Sequence, residues 1–175
     1  MSKLIAVFGA TGQQGGSVLR SLSKNGNFQL KAVTRSAKSS KAKELATMKN
    51  VTVAEADLDN KDSVDHVLKD CYGAFLVTDF TAHFVKNREI DQGVNLIDKA
   101  IKNNVKHVVF SSLENVESQL GKPCLHMDYK AAIDEYALKQ AAKINYTAIL
   151  MPMFYQEIVG TVLNKAFGNR LVFIK

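Results

Sequence analysis

The N-terminal segment constrains the fold more than any other part of the chain. A short apolar run at residues 4–8 has no helical period. It breaks into Gly9-Ala10-Thr11-Gly12-Gln13-Gln14-Gly15-Gly16 and continues as a helix-like stretch at 17–24. Further strand candidates follow at 29–34, 51–55, 74–78, 106–111 and 146–150, each separated from the next by a segment with helical features. Alternation of this kind predicts an α/β domain, a doubly wound parallel sheet with helices on both faces. The clearest helical pattern spans 85–103, where Ile90, Val94, Ile97 and Ile101 form one stripe. Residues 62–69 and 129–143 are helix candidates too, the second with Ile133, Ala137 and Ala141 on one face. The stretch 113–123 has no period and reads as a long loop beyond the fifth strand, at the end of a parallel sheet where sites gather.

Composition removes several alternatives. With 46% hydrophobic residues, 10 Gly and 2 Pro in 175 residues, the chain is neither disordered nor collagen-like. Cys71 and Cys124 are too few for a disulfide scaffold, which points to a reducing compartment. No apolar run approaches the roughly 18 residues needed to span a bilayer, and the N-terminus lacks a signal-peptide pattern, so a cytoplasmic and also nuclear location is expected. His66, His83 and His107 show no ligand spacing with each other or with either cysteine, and no metal site is expected. The net charge of +6 is concentrated: residues 20–49 hold eight bases (Arg20, Lys24, Lys31, Arg35, Lys38, Lys41, Lys43 and Lys49) against the single acid Glu44. Such a segment suits phosphate, nucleic acid or an acidic partner, or is a solvated face. Phe28 is its only aromatic, so direct nucleic-acid binding is not expected.

The chemistry begins at the glycines. In a strand-turn-helix unit they let the backbone turn tightly and approach a pyrophosphate, whose charge is met by the amides of the helix N-terminus. Gly9, Gly12 and Gly15 give the spacing G-x-x-G-x-x-G, a departure from G-x-G-x-x-G. About 20 residues later the second strand ends in Val33-Thr34-Arg35. An acidic residue there would take the ribose hydroxyls of NAD, whereas a base suits the 2′-phosphate of NADP. Arg35, with Lys38 and Lys41 behind it, predicts NADP(H).

The glycine-rich segment, Val33-Thr34-Arg35, Val108-Val109-Phe110-Ser111-Ser112-Leu113-Glu114-Asn115, His126-Met127-Asp128-Tyr129-Lys130 and Pro152-Met153-Phe154-Tyr155-Gln156-Glu157 together resemble the NmrA-like family, atypical relatives of the short-chain dehydrogenases. The chain looks most like the animal redox-sensor branch. The resemblance implies a Rossmann-type domain that binds NADP(H) and changes its association with signalling or transcription proteins according to cofactor state. By matching position it assigns Thr11, Gly12, Gln13 and Gln14 to the pyrophosphate turn, Arg35 to the 2′-phosphate with Lys41 as a helper, and Asp57 and Leu58 to the adenine. It also assigns Thr78 to the ribose or nicotinamide side and Lys130 to the nicotinamide ribose. Bland readings stand beside two of these: Asp57 as an ordinary acidic loop residue, Thr78 as a strand-terminal hydroxyl.

Catalysis turns on one position. Short-chain dehydrogenases place a tyrosine four residues before the lysine, so that both face the same way on a helix. Here that position is His126, and Tyr129 is rotated by about 100° from Lys130. The expected reading is a regulator without strong catalysis. The alternative is a reductase of small carbonyls or quinones using Lys130 with His126 or Ser111. A nucleic-acid binder using residues 20–49 is a third possibility. The domain division expected is an NADP-binding domain at 1–152 and, at 153–175, the start of a C-terminal lobe that is largely absent. A helix at 154–167 and a strand-like end at 171–175 are expected there, with uncovered apolar surface that would favour a homodimer.

Overall fold

The computed structural model describes residues 2–82, 85, 87–152 and 154–155. In chain order the elements are β1 (Lys3–Val7), α1 (Gln13–Asn25), β2 (Phe28–Thr34), α2 (Ser40–Leu45), β3 (Val51–Glu55), α3 (Lys61–Leu68) and β4 (Gly73–Leu76). After a 3-10 turn (Phe80–Ala82) come α4 (Arg88–Lys102), β5 (His107–Ser112), α5 (Val116–Leu120), α6 (Leu125–Lys139) and β6 (Asn145–Leu150). All strand pairs are parallel, and the spatial order is β3-β2-β1-β4-β5-β6. The winding reverses at β1, which opens a crevice between the carboxyl ends of β1 and β4.

Alternation along the strands builds a core on each face. On β1, Ala6 joins Phe8 just beyond the strand, Val64, Leu68, Leu96, Ile97, Phe110 and Ile133 under α3, α4 and α6. Val7 faces the other way, onto Leu19, Leu30, Leu45 and Phe75 under α1 and α2. The Rossmann-type sheet with helices on both faces is therefore as the sequence predicts. Helix α6 lies close on α4 because position 93 is glycine: a Cβ there would stand 2.3 Å from Ile133 Cδ1. The Tyr136 hydroxyl also donates to Asp98 across the same helix pair. Of the eight bases in the charged segment, Lys31 is structural. Its ammonium donates to the Val67 carbonyl at 2.8 Å and the Lys69 carbonyl at 3.2 Å, closing the C-terminus of α3.

Several boundaries differ from the expectation, each for a physical reason. Helix α1 starts at Gln13, so Gly15 and Gly16 are helical residues buried against the turn; intrinsic propensity argues against this, and close packing overrides it. Strand β4 ends at Leu76, which leaves Thr78 in the connection that follows. The buried face of α4 is Glu89, Gln92, Gly93, Asn95, Leu96, Ile97 and Ala100, and Ile90, Val94 and Ile101 are only half-buried. Helix α6 begins at Leu125 and ends at Lys139, leaving Ala141 exposed beyond it. The stretch 113–123 contains α5. The expected helix at 154–167 and the strand-like end at 171–175 lie, apart from Phe154 and Tyr155, outside the described residues.

Candidate functional site

Gly9 adopts φ +63°, a conformation that favours glycine, and its carbonyl accepts the Gly12 amide at 2.9 Å. The chain then enters α1 with Gly12 as N-cap, no side-chain capping bond and no acidic residue in the first turn. The amides of that turn are therefore left for an anion. The turn admits nothing larger than hydrogen at Gly15, where a Cβ would meet the Gly9 oxygen at 2.4 Å and the Phe8 oxygen at 2.5 Å. Thr11 and Gln14 are half-buried, and Gln13 is exposed. From the end of β5, the Ser111 hydroxyl donates to Gln14 Oε1 at 2.8 Å and ties the turn across the crevice. Ser111 is thus a brace of the turn.

Arg35 follows β2 directly and is exposed, as are Lys38 and Lys41. The loop that carries Arg35 is held in place by Glu55 of β3, whose carboxylate accepts the Ala37 amide at 2.9 Å. Ser39 then caps α2 by accepting from Ala42. The end of β2 lies against the glycine turn, where the Val33 carbonyl accepts the Ala10 amide at 3.2 Å, so the exposed Arg35 two residues on offers positive charge near that turn. At the end of β3, Asp57 is exposed and its Oδ1 accepts the Asp59 amide at 3.0 Å, while Leu58 is half-buried against the core. Asp59 pairs with Arg88 and also accepts from Gln92 at 2.8 Å, which joins this loop to α4. The neighbouring carboxylate holds the Arg88 guanidinium above its ordinary value.

The crevice's other wall joins the expected Lys130 to Glu89, a residue that sequence reasoning missed. Lys130 of α6 donates to the Thr78 carbonyl at 2.8 Å, the Thr78 hydroxyl at 2.9 Å and Glu89 Oε1 at 2.8 Å. An ammonium has three hydrogens, so this cradle takes all of them. Thr78 in turn donates to Glu89 Oε1 at 2.6 Å. The Glu89 side chain is 2% exposed, and its second oxygen is buried without a hydrogen-bond partner. An acid in the first turn of a helix ordinarily reads as a solvent-facing partner of the dipole. The available signal is spacing, because Glu89, Gly93 and Ile97 follow one another at i, i+4 and i+8 on the core face. His126 is exposed with its ring tilted against Phe80, centroids 6.3 Å apart, while Tyr129 is buried edge-on to the same ring. No cluster of three or more metal-ligating side chains occurs among the described residues, and no helix among them is long and apolar enough to cross a membrane.

Asp128, the fourth residue of α6, orders the site-side loop. Its carboxylate accepts the amides of Val116 at 2.9 Å, Glu117 at 3.0 Å and Cys124 at 2.5 Å. These bonds, the Glu117 amide foremost and His126 adding its charge, hold the carboxyl below the usual carboxylate range. A depressed folded-state value stabilises the protein above the unfolded value and loses that contribution as pH falls. Asp128→Asn is therefore expected to be less stable than the parent near neutrality. The gap should close as pH drops below the ordinary aspartate value of about 3.9. Urea midpoints across that range test this; a gap independent of pH would sink it.

A family model described as the NmrA-like family matches residues 1–169. An NmrA-like family domain-containing oxidoreductase of Aspergillus flavus is 31% identical over 95% of the chain and 52% of its own length. An NmrA-like family domain-containing protein of Dictyostelium discoideum is 32% identical over 91% of the chain and 54% of its own length. Among solved structures, NmrA, a negative transcriptional regulator crystallised in complex with NADP, superposes with a TM-score of 0.73 at 26% identity, over 84% of this chain and 45% of that one. The chain spans about half the length of the curated relatives it matches.

Proposed function

The chain belongs to the NmrA-like family, and on that premise we propose that it binds NADP(H) in the crevice between β1 and β4 and acts as a regulatory, redox-sensing module. The carrying observation is the pairing of an uncapped, glycine-lined α1 N-terminus with an exposed Arg35 at the end of the next strand. The first meets a pyrophosphate and the second a 2′-phosphate. Asp57 and Leu58 border the adenine end, and Thr78 lies on the nicotinamide side. When bound, the cofactor supplies a transferable hydride. The residues of this chain bind and orient it, and they offer little to the transfer: Lys130 is spent on Thr78 and Glu89, and His126 stands where a phenol would be. In this reading the partners are signalling or transcription proteins that distinguish cofactor-bound from free chain, in the cytoplasm and also the nucleus. Such discrimination requires differential affinity for the two states.

A second reading, a reductase of small carbonyls or quinones, is favoured by the name oxidoreductase carried by the Aspergillus flavus relative. It would use Lys130 with His126 or Ser111.

Calorimetric titration with NADP⁺, NADPH and NAD⁺ tests the common premise. The phosphorylated cofactors are expected to bind more tightly. Arg35→Ala should erase the preference at a cost of about tenfold to a hundredfold in affinity for NADP(H), the magnitude of a charge-assisted contact. Equal affinity for NAD⁺ and NADP⁺ in the parent chain would overturn the role of Arg35. Turnover with small carbonyl or quinone substrates, lost in a Lys130→Ala chain that thermal melts show to be folded, would move the conclusion to the reductase.

A further inference from the structure

Two cysteines stand in contrasting settings. Cys71 is 4% exposed, its thiol donates to the Val67 carbonyl at 3.4 Å, and burial pushes the thiol up from its ordinary value. Cys124 is half-exposed at the N-cap of the 15-residue helix α6, with its sulfur 3.5 Å from Nδ1 of His126. A nucleophile and a base within hydrogen-bond reach, with the base oriented by further groups, form the general arrangement of an activated thiol.

The orientation here comes from three separate elements. Phe80, from the 3-10 turn after β4, packs on the His126 ring and fixes it from outside the helix. Asp128 accepts the Cys124 amide, and the Val116 and Glu117 amides of α5, so the backbone that presents the thiol is anchored to a second helix. The carboxylate of Asp128 also interacts electrostatically with His126. A free thiol on a loop has none of these supports.

We propose that Cys124 and His126 form a thiol–imidazole pair that makes Cys124 a site of covalent capture for soft electrophiles of the α,β-unsaturated carbonyl class. His126 Nδ1 takes the thiol proton as the sulfur adds to the β-carbon. The new S–C bond forms while the C=C π pair moves to the α-carbon, and the imidazolium then returns its proton to that carbon. No oxidant, reductant or metal enters the balance. Neither residue belongs to the glycine turn or to the loop of Arg35, but His126 is also the acid of the reductase reading, so the test is run without NADP(H), where no reduction competes with capture. An adduct at Cys124 lies beside the helix that carries Lys130, so capture marks the loop that borders the crevice.

The test is the rate of adduct formation by the 175-residue chain with 2-cyclohexen-1-one, followed by peptide mass mapping of both cysteines. At pH 7 Cys124 is expected to be modified and Cys71 spared. His126→Phe keeps an aromatic ring against Phe80, and is expected to lower the Cys124 rate by about a hundredfold, the low end for a positioned base. His126→Asn serves as the second variant, and thermal melts verify that each is folded. In strongly alkaline buffer hydroxide takes the thiol proton without help from a neighbouring base, so parent and variant rates should converge there if His126 acts as the base. Unchanged rates at pH 7 in both variants, or a gap that persists in strongly alkaline buffer, would overturn the proposal.

Discussion

Gly15→Ala is expected to lower the melting temperature by roughly 6–12 °C, the equivalent of about 3 kcal/mol in a domain of this size. The added methyl would lie 2.4 Å from the Gly9 oxygen, 2.5 Å from the Phe8 oxygen and 2.6 Å from the Gly9 carbonyl carbon. All three are backbone atoms of the strand-to-helix turn, so no side chain can swing aside. The turn itself must move, and with it the amides proposed to meet the pyrophosphate. NADP(H) affinity should therefore fall in the same variant by more than about tenfold, beyond what one lost hydrogen bond explains. Gly26→Ala is the control. Its φ is +73° but nothing lies within 4 Å of where the methyl would stand, so it carries only left-handed strain of about 1–2 kcal/mol and leaves the site intact. Circular-dichroism melts and calorimetry on both variants decide the matter. A Gly15→Ala chain as stable as its parent would show that the close approach is not required.

The glycine turn is legible in the sequence because the requirement is local: a strand has to reverse into a helix within a few residues, and only glycine tolerates the approach. The same holds for β3, expected and found at Val51–Glu55, and for the parallel order, which follows from the alternation of elements. Other features depend on long-range partners. Helix α5 lies where the sequence suggests a loop, because its first amides are bound by Asp128, a residue twelve positions from Val116 in sequence and on another helix. Helix α2 is hidden inside the basic segment, where lysines mask any period. The stripe expected on α4 follows the large aliphatics, whereas the core accepts glycine, alanine and a buried glutamate on the neighbouring face. Ser111 enters the sequence reading only as a candidate of the alternative reductase; that its hydroxyl donates to Gln14 across the crevice, between residues 97 positions apart, has no local signal.

Glu89 makes Lys130 the most consequential single side chain on the far wall. Lys130→Met is expected to destabilise the protein by about 3–5 kcal/mol, because it leaves a buried carboxylate without its countercharge. Only 12% of the lysine side chain and 2% of the glutamate side chain are exposed, so water cannot substitute for the lost partner. One glutamate oxygen is already unpartnered, and the other would keep only the Thr78 hydroxyl. Glu89→Gln removes the charge while retaining the shape, so the double variant Glu89→Gln with Lys130→Met should recover about 2 kcal/mol relative to Lys130→Met alone. Urea unfolding of the four proteins measures this coupling, and strictly additive losses would refute a shared buried pair. The double variant also separates a structural lysine from a cofactor-binding one, which the single substitution confounds with unfolding. With the fold restored, NADP(H) affinity should drop by no more than about tenfold, since the phosphates are met at the α1 turn and at Arg35 while the lysine could offer the ribose one hydrogen bond at most. A much larger loss in a stable double variant would mean that Lys130 leaves Glu89 for the cofactor, and that the cradle of Thr78 and Glu89 is the resting position of a ribose-binding lysine.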